Sequence, residues 1–199
     1  MSEFPTLFQL TGSEHPVAQW QDAVLVIIDA QNEYRMGDMK LPNVESATVQ
    51  IQRLLVAARQ HGSPVAHIRH IGVPGYLFDP EGPRGQIFAE LTPIAGEAVI
   101  DKPLPNAFAG SSLQDFIQKS GRTSLIVCGF MTHMCVSATV RAAKDLGYQS
   151  TVVADACATR SLASLEFAHL DAQALHDMEL VALSDFFAYI VKDAVALGA

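Results

Sequence analysis

The sequence is short of charge, of basic residues and of cysteine, and each shortage removes a class of function. Only 17% of its 199 residues are charged, and 13 basic against 21 acidic residues leave a formal net charge of −8. Proteins that hold nucleic acid or an anionic membrane by charge need a basic face, so neither partner is expected. No apolar run approaches the roughly 20 residues of a membrane span, and the opening Met-Ser-Glu-Phe-Pro-Thr lacks a basic stretch followed by an apolar one. A cytoplasmic protein is expected. The three cysteines, Cys128, Cys135 and Cys157, are an odd number without a C-x-x-C pair, which suggests neither a disulfide framework nor a zinc knuckle.

What is present is apolar and patterned. Apolar residues make up 49% of the chain, enough for one domain over 1–199 with a substantial core, residues 1–20 forming a mixed leader that packs on it. Ala23-Val24-Leu25-Val26-Ile27-Ile28 is a continuous apolar run of the kind found in a strand buried on both faces. Further strands are expected at 64–70, 98–101, 124–128, 150–154 and 179–183. Helices are expected at 43–60, 112–119, 135–146, 161–177 and 184–195, the first closed by His61-Gly62. Residues 72–93 are punctuated by glycine and proline and are expected to form a pocket wall or lid. Alternating strands and helices without repeats or linkers predict a three-layer α/β/α domain on a six-stranded, mainly parallel sheet.

In such a sheet the strand C-termini share one edge, where ligands bind. Three chemically useful residues fall there. Asp29 ends the first strand, Lys102 ends the third, and Cys135 follows the strand-turn Cys128-Gly129-Phe130 at the start of a helix. Taken singly, the acid is otherwise a turn cap, the lysine a solvated side chain and the cysteine a small buried hydrophobe. Together they meet the needs of a thiol nucleophile: a carboxylate to take and return the proton, and a cation to hold the thiolate. The helix start beside Cys135 is expected to favour thiolate further and to offer backbone N–H groups to an oxyanion. Gln31, Tyr34, Phe78, Phe108 and His133 flank these segments or lie in the loop facing them, and are the candidate substrate contacts, Tyr34 and Phe108 suggesting aromatic walls.

The ordered set Val26-Ile27-Ile28-Asp29-Ala30-Gln31-Asn32, then Lys102, then Gly129-Phe130-Met131-Thr132-His133-Met134-Cys135-Val136 closely resembles the isochorismatase-like cysteine hydrolases, and Asp155-Ala156-Cys157-Ala158-Thr159 is similar to their strand-end segment. The resemblance spans roughly residues 20–185. It implies a parallel sheet in the order 3-2-1-4-5-6, a triad of Asp29, Lys102 and Cys135, and a cis peptide at Phe130-Met131 that aims the Met131 and Cys135 amides into an oxyanion hole. It also implies a homo-oligomer. Nicotinamidases of the family bind a metal through an Asp-x-His segment with a further His, and no such run occurs here. The nearest candidates, His67 and His70, would face opposite sides of a strand, so neither a metal nor any other cofactor is expected. The cysteine favours hydrolysis of a C–N bond in a small amide, carbamoyl or ureido substrate. Two alternatives stay open: vinyl-ether hydrolysis relying on Asp29, and a catalytically inert structural member.

Overall fold

The computed structural model describes residues 4–13, 15–164, 166 and 169–199. Its centre is β1 (Ala23–Ile28), whose six side chains are all buried because both faces of the sheet are covered. Covering every residue of a strand selects for an unbroken apolar run, each Val, Leu or Ile contributing about 1.5–3 kcal/mol of burial. β2 (Val65–His70), β3 (Ala98–Lys102), β4 (Ser124–Phe130) and β5 (Gln149–Ala158) follow. The six-stranded sheet is closed at its far edge by the short β8 (Tyr189–Val191), in the order β3-β2-β1-β4-β5-β8, and every pairing is parallel.

After the short α2 (Glu33–Met36), one face is covered by α3 (Val44–His61), which buries Val44, Ala47, Ile51, Leu54, Leu55 and Ala58 and stops at Gly62, whose φ of 64° suits a residue without a Cβ. The other carries α4 (Leu113–Ser120), α5 (Ser137–Asp145) and α6 (Ala172–Phe186). Near the N-terminus lies α1 (Leu7–Thr11), where the Leu7 amide donates to Asp185 (2.7 Å) and Phe8 packs on His15 and Phe186. Among the described residues no helix is long and apolar enough to cross a membrane.

The C-terminal quarter departs from the sequence reading. The run Glu179-Leu180-Val181-Ala182-Leu183, expected as the last strand, lies inside α6, which starts later than the expected helix, at its Asp171 cap, and buries Leu180 and Leu183. A short apolar run fits a buried strand and a helix equally well, and the good helix formers ahead of it, Ala172-Gln173-Ala174-Leu175, decide it here. The expected helix over 161–177 gives way to two small paired strands, β6 (Leu162–Ala163) and β7 (His169–Leu170), before α6; its residues Leu165, Phe167 and Ala168 lie outside the described residues. In place of a helix over 184–195 stand β8 and a 3-10 turn at Ala194–Leu197.

β4 needs its glycine. Gly129 has φ 115°, and a Cβ there would lie 2.0 Å from the Ile28 carbonyl oxygen. The pairing of β4 with β5 shifts between Val127 and Gly129, and the Phe130-Met131 peptide that follows is cis. The chain then makes a π-helical turn, Thr132–Val136, before α5 begins, so Cys135 sits in that turn rather than in the first turn of a regular helix.

Candidate active site

The topology brings Asp29, Lys102 and Cys135 together although 73 residues separate the first two. β1 delivers Asp29, at φ 50°, with its amide bonded to the Ile68 carbonyl (2.9 Å); β3 delivers Lys102 in register with His70. Asp29 and Lys102 are fully buried, and Cys135 is 6% exposed. The lysine Nζ stands 2.8 Å from Asp29 Oδ2 and donates to Cys135 Sγ (3.4 Å), His70 Nδ1 (3.2 Å) and the Leu104 carbonyl (3.1 Å). The 2.8 Å contact pairs the ammonium with the carboxylate, both wholly buried. An ammonium has three hydrogens to share among these four neighbours.

The electrostatics follow from the burial. Desolvation raises the Asp29 pKa and the Lys102 charge opposes it, leaving a carboxylate more basic than an ordinary one. Burial, then the Asp29 charge, push the Cys135 thiol up to about 12, and Lys102 offsets only part of this. The expectation that the turn's N-terminal end would hold a thiolate at rest is therefore not met. A buried site penalises a new charge more than a helix end rewards it, so the resting group is a thiol beside a base.

Aromatic rings close one side. Tyr34 stands edge-on to Phe78 and Phe130 with centroids 5.2 and 5.5 Å away, and Phe78 also meets His70 at 5.1 Å. Tyr34 is 1% exposed, and the Asp29 and Cys135 charges add to the burial that raises its hydroxyl pKa. His133 is half-buried, bonded to Thr159 through Nδ1, with Nε2 unpartnered; burial, then Arg160, lower its pKa.

Two expected pocket residues have other tasks. Gln31 is wholly buried and committed to backbone: Oε1 accepts from the His70 amide (2.8 Å), while Nε2 donates to the His70 carbonyl (2.9 Å) and the Gly85 carbonyl (2.8 Å). No hydrogen of that amide is left for a ligand. Phe108 is stacked on Tyr148, 5.9 Å away, a residue just before β5 at the opposite end of the strands from Asp29. A polar pocket of about 260 Å³ opens beside β5, between Asn43 and Ser46 of the α3 start and Gln173 and His176 of α6, but the triad does not line it.

Two residues near the site were not singled out from the sequence as part of it. His70 contacts the triad directly, which strand register with Lys102 reveals and linear spacing does not. Arg160, two residues past the end of β5, perturbs both Tyr34 and His133, and its buried Nε has no hydrogen-bond partner. As for metal ligation, His67 bonds Glu97 (3.0 Å) while His70 faces Lys102, so the two histidines do not converge.

Residues 23–194 match the isochorismatase domain. The fold superposes on the crystal structure of an isochorismatase from Pseudomonas putida KT2440 with a TM-score of 0.92 at 46% identity, covering 96% of this chain and 98% of that one. A secreted isochorismatase effector of Verticillium dahliae is 36% identical over 193 residues, 96% of this chain and 97% of its own. A ureidoacrylate amidohydrolase of Stutzerimonas stutzeri is 26% identical over 186 residues, 74% of this chain and 75% of its own. With this coverage, the chain belongs to the isochorismatase family of hydrolases.

Proposed function

We propose that the protein is a cysteine-dependent hydrolase that cleaves the C–N bond of a small amide, carbamoyl or ureido compound. The observation that carries this reading is one buried ammonium lying 2.8 Å from a carboxylate and 3.4 Å from a thiol. Substrate binding brings a carbonyl carbon to Cys135. The thiol proton passes to Asp29, Sγ attacks, and Lys102 offsets the negative charge as it moves from oxygen to sulfur. The Met131 amide, at the entry to the turn, and the Cys135 amide within it receive the oxyanion. Asp29 then gives its proton to the leaving nitrogen as the C–N bond breaks, which leaves a thioester. Water attacks the thioester carbon, Asp29 takes its proton, and the C–S bond breaks with return of that proton to sulfur. The cation this chemistry needs at sulfur is Lys102, so the reading calls on no metal or other cofactor. The name of the amidohydrolase relative supports an amide-type substrate.

Tyr34, Phe78 and His133 form the substrate-side wall in this reading, and the uncommitted Arg160 beside them fits a substrate with a carboxylate or another anionic group. Arg160→Ala should raise KM about tenfold or more for an anionic amide and leave a neutral one unaffected. Cys135→Ala should abolish ammonia release across a panel of small amides while the fold persists. Full activity in that variant, or pyruvate released from a vinyl ether without the thiol, overturns the mechanism. We place the enzyme in the cytoplasm, where a free thiol persists; fractionation tests this, and the secreted relative is the counter-case. Self-association through the exposed Met178 and Val181 of α6 and the nearby Met134 completes the reading; sedimentation as a monomer would remove it.

A further inference from the structure

The turn that carries Cys135 has no cap of its own. Neither Met131, ahead of the π-helical turn Thr132–Val136, nor Val136, ahead of α5, supplies a side-chain acceptor to the amides that follow. Such turns are rare and short, and this one is held from outside. Two side chains of α6 meet it, one at each end. His176 Nδ1 pairs with the Thr132 hydroxyl (2.8 Å) at the first residue of the turn, and Glu179 Oε1 accepts from the Ser137 hydroxyl (2.5 Å) just past the last.

Spacing explains how one helix reaches both ends. His176 and Glu179 are three residues apart and so share a face of α6. That helix is itself fixed, by the Asp171 side chain at its start and by the buried Leu180 and Leu183. Arg141, in the second turn of α5, closes the Glu179 contact into a triangle: it donates to Glu179 (3.0 Å) and to Ser137 (3.1 Å), and its guanidinium lies over the Phe187 ring. Thr132 is wholly buried and Ser137 nearly so. A hydroxyl there that lost its partner would have no water to turn to. Both ends of the turn therefore follow α6.

We propose that His176 and Glu179 are positioning residues for the acyl-transfer step: they splint the turn so that the Met131 and Cys135 amides face the forming oxyanion, and neither touches substrate. The inference rests on the proposed chemistry at Cys135. In that step the S–H proton goes to Asp29, sulfur bonds the carbonyl carbon, and the carbonyl electron pair moves to oxygen before returning to expel the leaving group. Misplaced amides weaken only a step that builds charge on oxygen. Displacement at a saturated carbon builds none.

Two probes of Cys135 separate these cases in the intact protein at one neutral pH. p-Nitrophenyl acetate acylates the thiol through an oxyanion and releases p-nitrophenolate. Iodoacetamide alkylates it with loss of iodide from a saturated carbon, followed at the Cys135 peptide by mass spectrometry. His176→Phe, Thr132→Val and Glu179→Leu should each acylate about tenfold more slowly, the worth of one buried hydrogen bond, and alkylate at the wild-type rate. His176→Asn, which keeps a polar atom near the Nδ1 position, and Glu179→Gln should acylate as wild type does. The double variant Thr132→Val/His176→Phe should be no slower than either single, because both remove the same bond. Equal losses with both probes, unchanged acylation in Thr132→Val or Glu179→Leu, or a double variant slowed by the product of the singles overturns the proposal. Should His176→Phe fail to fold, Thr132→Val against Thr132→Ser decides: a loss that serine does not restore excludes the bond. Nitrophenolate release at the wild-type rate in Cys135→Ala would instead sink the thiol mechanism, whatever the α6 variants show.

Discussion

Removing Lys102 tests the electrostatic account of the site most directly. Lys102→Met keeps most of the side-chain length, deletes the charge and leaves Asp29 as a fully buried carboxylate with no cation beside it. Breaking one half of a buried pair costs about 3–5 kcal/mol, because the surviving charge has lost its solvation and its partner, whereas replacing both halves by neutral groups is often neutral or stabilising. At about 2–4 °C per kcal/mol for a domain of this size, Lys102→Met should melt about 6–20 °C below wild type. Asp29→Asn/Lys102→Met should recover most of that loss, while every variant is inactive. Urea denaturation of the wild type, both single variants and the double variant closes the cycle, and the coupling energy should be at least about 2 kcal/mol, well outside the scatter of additive sites. Equal stability of Lys102→Met and wild type, or a double variant whose loss equals the sum of the singles, would refute the claim that these charges are desolvated together.

Two other sites give independent tests. Glu97 accepts from Arg59 at 2.7 Å, from the Ile94 amide at 2.9 Å and from His67 at 3.0 Å. Burial raises its pKa, but these partners win and hold it at about 2, below the ordinary glutamate value of 4.5. Between those values the folded state binds fewer protons than the unfolded chain, so stability rises with pH there. Glu97→Gln should therefore be less stable than wild type at pH 7, with the difference shrinking as pH falls from 4.5 toward about 2; a pH-independent gap in thermal midpoint would contradict this. Gly129→Ala should lose several kcal/mol or fail to accumulate, since its Cβ would collide with the Ile28 carbonyl at a φ that L-residues avoid; a soluble variant with wild-type midpoint would show that β1 and β4 are less closely apposed than described.

How far the sequence could be read depended on whether the deciding interaction was local. β1 was legible because burial on both faces leaves an unbroken apolar run, and Asp29 and Lys102 because strand ends in a parallel sheet share one edge. The segment 179–183 was not, since the same apolar run serves a helix and a strand, and the choice lies with residues flanking it and with the Asp171 cap. Gln31 and Phe108 stood near the triad segments in sequence, yet one faces backbone carbonyls and the other a ring at the far end of the sheet. His70 was visible as a strand residue and as half of a metal pair that strand geometry argued against. Its meaning comes from pairing with Lys102, 32 positions away, which spacing along the chain does not encode.

The bracket formed by Gln31 has a consequence for how new specificities could arise on this scaffold. The long loop between β2 and β3 is fastened mainly to one short stretch: Ala30 accepts from the Phe88 amide, Gln31 bonds Gly85, Asn32 bonds Pro83 and Gln86, and Glu33 receives the Phe78 amide and Arg84. The loop and the segment 30–33 are thus a plug and its socket. A loop transplanted from a relative without its matching tetrapeptide would arrive with several backbone groups unpaired. Moved together, the two pieces form an exchangeable cassette that can change the mouth of the site while Asp29, Lys102 and Cys135 stay where the sheet puts them.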